Sequence, residues 1–72
     1  MDPWDKCRIR PSLHAFDRIA QRGLSLADLE RMVREGDRVA EGENRFVVRY
    51  GDWIIPVQLR RCFIGIRTVY QR

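Results

Sequence analysis

The chain has 72 residues, 44% of them hydrophobic, and a net charge of +4, which bounds it to one small globular domain and excludes both a second domain and a disordered tail. Its apolar stretches are too interrupted for a membrane span. No apolar h-region opens it either, so no signal peptide is expected and the cytoplasm is the expected compartment.

Residues 1–11 include Pro3 and Pro11 and show little periodicity, so they are expected to run extended ahead of a compact domain at 12–72, with Trp4 and Ile9 packing against it. Ser12 is a helix N-cap, and Leu13, Phe16, Ile19 and Ala20 recur at helical spacing up to Gly23, a natural residue for the far end. Ser25 caps a second helix. Its stripe is Leu26, Leu29, Met32 and Val33, and Gly36 ends it.

From residue 37 the period changes to two. A short strand is expected around Asp37 to Glu41, followed by RFVVRY (45–50), WIIPVQLR (53–60) and FIGIRTVY (63–70), all rich in β-branched and aromatic residues. Pro56 calls for a bulge or a free edge in the second of these runs. The predicted fold is α+β, with two N-terminal helices packed on one face of a three- to four-stranded antiparallel sheet. Alternation puts Phe46, Val48, Tyr50, Trp53, Ile55, Val57, Leu59, Ile64 and Ile66 under the helices, and Arg45, Arg49, Gln58, Arg60 and Arg67 on the other side.

Charge divides the chain in the same way. Residues 1–43 carry eight basic and nine acidic side chains, whereas residues 44–72 carry six arginines against Asp52 alone. Lys6 is the one basic residue in the chain that is not arginine. Arginine grips phosphate as a planar fork, so the basic half suits RNA, although a GC-rich genome yields the same excess without function. Cys7 and Cys62 show no metal-ligand spacing. They are expected to be two free thiols, with a disulfide possible only if the N-terminal segment lies beside the last strand.

His14, Arg18 and Arg22 follow one another at a spacing of four, drifting by about 40° per step around a helix, and so form one ridge away from the apolar stripe. Such a ridge is most simply a solvated face. It becomes a site only beside polar groups of the sheet. Carboxylates are scattered with no close pair, so no metal is expected, and no other cofactor is expected either; a metal-free route remains open, in which the RNA 2′-hydroxyl attacks its own phosphate. His14 then serves as one proton carrier, a tyrosine as the other, and arginines stabilise the phosphate charge. Thr68 and Tyr70 are candidates from the last strand, and are equally ordinary strand formers. The competing readings are a basic RNA-binding module that breaks no bond, with Phe63 among its arginines, and an interaction protein whose free strand edge pairs with an antitoxin-like partner.

The order H-x-x-x-R-x-x-x-R-G-L at His14, Arg18, Arg22, Gly23 and Leu24, then a helix, a meander and a terminal I-R-T-V-Y, resembles the family called domain of unknown function 4258. The resemblance spans His14 to Tyr70. It implies kinship with the metal-independent ribonucleases that include barnase, EndoU and RelE-type toxins, hence a RelE-like fold and a toxin-like endoribonuclease. Carried over, it implies His14, Arg18, Thr68 and Tyr70 as catalytic residues, with Arg22 and Gly23 serving the helix end; Arg22, Arg45, Arg49, Arg60 and Arg67 are the expected RNA contacts.

Overall fold

The computed structural model describes Trp4 and residues 6–72; the part of the expected extended segment at Met1, Asp2, Pro3 and Asp5 lies outside the described residues. Along the chain come β1 (Arg8–Pro11), α1 (Leu13–Gln21), α2 (Leu26–Glu35), β2 (Asp37–Gly42), β3 (Arg45–Tyr50), β4 (Trp53–Arg60), β5 (Phe63–Ile66) and β6 (Tyr70–Gln71). The strands form one sheet in the order β1-β5-β4-β3-β2, and β6 also pairs with β4.

The expected sheet of three or four antiparallel strands, and the RelE-like arrangement implied with it, are corrected on two counts. Among the described residues the sheet has six strands, and β1 runs parallel to β5, with Ile9 opposite Ile64 and Pro11 opposite Ile66. A four-residue strand between prolines leaves little periodicity to read; the free edge of β5 is what gives its backbone groups partners. The second correction is that the run 63–70 is broken into β5 and β6, with residues 67–69 unpaired between them. β5 lies along β4 from Val57 to Arg60, while β6 meets it only at Trp53 and Ile54.

Pro56 sits in the resulting gap. The Leu59 N–H points to the β3 side, where it donates to the Asn44 carbonyl at 2.7 Å. Successive N–H groups alternate sides, so the nitrogen of Pro56 faces the stretch that neither β5 nor β6 covers, and its missing donor leaves no acceptor unserved.

Ser12 caps α1, accepting from the Ala15 N–H, and the far end closes through Gly23 at φ 73°, with the Gly23 and Leu24 N–H groups donating to the Ala20 and Ile19 carbonyls. Only Ala15 and Ile19 of this helix are buried. The expected stripe is thereby corrected: Leu13 is 87% and Phe16 47% exposed, and Ala20 is exposed as well. A helix of nine residues has two turns, and its i, i+4 ridge of Ala15 and Ile19 is the part that meets the sheet.

In α2, Ser25 and Asp28 form a capping box in which each side chain accepts from the other's backbone N–H. Leu29, Met32 and Val33 enter the core beside Val48, Ile55, Val57, Ile64, Ile66 and Val69. α2 passes into β2 at Gly36, where a Cβ would stand 2.6 Å from Val48 Cγ1 and 2.8 Å from two carbonyl oxygens. Close approach of chain to chain, with an ordinary φ of −70°, is therefore what demands glycine here.

Gly36→Ala is expected to destabilise the fold by about 1–3 kcal/mol, the range for overpacking a tight site; urea unfolding at neutral pH measures it. The Ser25 N–H and hydroxyl, chiefly the former, hold the Asp28 carboxyl below its ordinary 3.8. A depressed folded value means its contribution is complete above that pH and disappears as pH falls through the folded value. The Tm difference between the native chain and Asp28→Asn should accordingly be present at pH 7 and shrink towards zero as pH falls through the depressed folded value.

Candidate nucleic-acid interface

One face of the sheet carries the two helices and the other carries none. Strand register sorts the side chains of the uncovered face. Arg45 is opposite Gln58, and Arg49 lies between Asp37 and Ile54. Arg60 is opposite Phe63, which has Arg8 on its other side, and Arg10 is opposite Gly65. Arg67, just past β5, joins Arg45, Arg60 and Arg10 at the rim of two adjoining depressions of about 300 and 910 Å³, which share Gln58, Gly65 and Arg67.

The relief of this face follows from the alternation in β5. Phe63 stands up as a wall, and Gly65, with no side chain, leaves a trough beside Gln58. The Arg10 guanidinium lies over the Phe63 ring, 4.7 Å from its centroid, so a flat cation and an aromatic ring are stacked at one end of the trough. Arg61 lines the larger depression from the turn between β4 and β5, which it makes with a left-handed φ of 50°.

Arginines at this density on a folded surface are usually offset by carboxylates. The ion pairs among the described residues are Arg31–Asp28 and Arg34–Glu30, both on α2. Arg8, Arg10, Arg45, Arg49, Arg60 and Arg67 have no carboxylate within salt-bridge distance among the described residues. Asp37 and Glu41 approach from β2, at the far edge. The face therefore keeps a positive potential, strongest towards β1 and β5. No three of His, Cys, Asp and Glu gather into a metal-holding group among the described residues.

The residues expected to be catalytic are distributed differently. His14 and Arg18 are exposed on α1, on the helix-covered side of the sheet. Ser12 donates to the Arg67 carbonyl at 2.6 Å, which brings the first turn of α1 up to the segment containing Thr68. Tyr70 pairs with Ile54 and so shares the uncovered face. Side-chain hydrogen bonds join none of His14, Arg18, Thr68 and Tyr70 to one another. Arg22 is the C-cap residue of α1, on the helix side and apart from the other expected RNA contacts.

Arg8 and Arg10 escaped the sequence reading, although the alternation Arg8-Ile9-Arg10 is itself a strand signal with arginines on one face. No family model, curated protein or solved structure matches the chain. Among the described residues no helix is long and apolar enough to cross a membrane.

Proposed function

We propose that this chain is a cytoplasmic module that binds single-stranded RNA across the uncovered face of its sheet. The observation that carries this reading is the set of six arginines on one face with no carboxylate partners among the described residues. Guanidinium forks suit phosphate oxygens, and a trough open along its length admits a flexible strand. Phe63, already stacked with Arg10, offers a ring on which a base can lie.

Binding of a single-stranded RNA should weaken steeply with salt, and Arg45→Ala or Arg60→Ala should each flatten the slope of log affinity against log salt by about 0.7. Both variants should keep stability within roughly 0.5 kcal/mol of the native chain, since both side chains are exposed. Phe63→Ala should weaken binding by ~5-fold to 100-fold with the slope unchanged, because it removes stacking and no charge. Fluorescence anisotropy from low to high salt reads all of these. Binding that ignores salt rejects the reading, and salt-sensitive binding indifferent to Phe63 points to an acidic protein ligand instead.

A second reading, metal-independent cleavage of the bound RNA, is favoured by the Ser12–Arg67 bond, which draws the first turn of α1 towards the arginine-lined rim. In this reading His14 transfers the proton to or from the reacting oxygens and Arg18 stabilises the phosphate, with Thr68 on the strand side, while Tyr70 stands on the sheet's other face. Incubation of mixed RNA with the native chain in EDTA should then give products with 2′,3′-cyclic ends, and His14→Ala should lower the rate by roughly 10²- to 10⁴-fold. Equal rates in the two proteins, or activity abolished by EDTA, exclude this chemistry.

A further inference from the structure

Cys7 and Cys62 are 55 residues apart in the chain and play no part in the RNA reading. The parallel pairing of β1 with β5 sets Arg8 beside Phe63 and hence, one step earlier on each side, Cys7 beside Cys62. The Arg8 N–H donates to the Cys62 carbonyl at 3.2 Å, and the two sulfurs, both thiols, are 3.3 Å apart. Paired strands run about 4.8 Å apart, within the Cα separation of roughly 4.4–6.8 Å that a disulfide accepts. The backbone at Cys7 is also held, because Arg34 donates to its carbonyl at 2.6 Å. Joining the sulfurs thus takes side-chain rotation rather than movement of a strand.

The two thiols differ in access. Cys7 is wholly buried, whereas Cys62 is exposed in the turn between β4 and β5. A reagent reaches Cys62 first, and Cys7 only through it. Arg61 precedes Cys62 in the chain, and Arg8 and Arg60 flank its neighbour Phe63, so an anionic reagent is drawn to this turn.

We propose that Cys7 and Cys62 are a dithiol–disulfide pair oxidised by anionic low-molecular-weight disulfides, of which glutathione disulfide is the representative. The Cys62 thiolate attacks one sulfur of the reagent; the reagent's S–S bond breaks, and its other half leaves as a thiolate that takes up a proton. Cys7 then gives up its proton and attacks the Cys62 sulfur of the mixed disulfide, expelling the second reagent thiolate, which is protonated in turn. Two protein thiols become one disulfide, and one reagent disulfide becomes two thiols. Cys62 is the attacking residue and Cys7 the resolving one. The bond fastens β1, with Arg8 and Arg10, to β5.

The test is intact mass after incubation of the folded chain with glutathione disulfide. The native chain should lose two hydrogens and retain no glutathione, Cys7→Ala should retain one glutathione, and Cys62→Ser should retain none. Oxidation should also raise Tm by roughly 10–30 °C, since it closes a long loop, and dithiothreitol should reverse the rise. A native chain that keeps glutathione, stays reduced while its urea-unfolded form is oxidised, or turns into a disulfide-linked dimer overturns the proposal. Cys62→Ser alters an exposed position, so it and the native chain decide the outcome even if Cys7→Ala fails to fold.

Discussion

Arg34 fastens the N-terminal segment to the rest of the chain. From the last turn of α2 its guanidinium donates to the Trp4 carbonyl at 2.7 Å and the Cys7 carbonyl at 2.6 Å, while Glu30 accepts from it one helical turn back. Hydrogen bonds from a charged donor contribute about 1.5–3 kcal/mol each, well above a neutral pair. Their larger effect is on placement. With Trp4 set edge-on against Phe46 and Cys7 fixed beside Cys62, β1 enters the sheet in one register, and the Ser12 N–H meets the Ile66 carbonyl at the point where α1 must begin.

The two sides of the sheet follow from that placement. β1 is the last strand at one edge and β2 the last at the other, and the helices between them cross one face only. The covered face takes the aliphatic half of each alternating strand, including Ile9, and excludes water from it. The other face keeps what remains, and arginine is its commonest side chain. Because these guanidinium groups stay in water, their mutual repulsion is screened over about 8–10 Å and costs the fold little, yet it leaves a surface that rewards any polyanion able to follow it.

Much of this was legible in the residues, for identifiable reasons. Ser12 and Ser25 mark the helix starts because a hydroxyl acceptor ahead of an apolar stripe has few other uses, and RFVVRY and WIIPVQLR match β3 and β4 residue for residue because alternation and turn chemistry agree there. The arginine face at Arg45, Arg49 and Arg60 follows from the same alternation. What escaped depends on distant partners. β1 exists because β5 offers an edge, the break at 67–69 reflects the share of β4 that each flanking strand occupies, and the exposure of Leu13 and Phe16 reflects how little of a two-turn helix reaches the sheet. The candidate catalytic set is of the same kind: spacing puts His14 and Arg18 on one ridge, but which side of the sheet that ridge occupies relative to Tyr70 is settled by topology alone.

The parallel strand pair also governs timing. During synthesis β1 emerges first, and the strand it must pair with is made some 55 residues later, near the other end of the described chain. The meander from β2 to β5 consists of neighbours in sequence and can assemble as it appears, whereas β1 has to wait for β5 and then close a loop of some 55 residues. β1 therefore stays unpaired until β5 has been made, and the arginine surface reaches its full width only when those two strands meet.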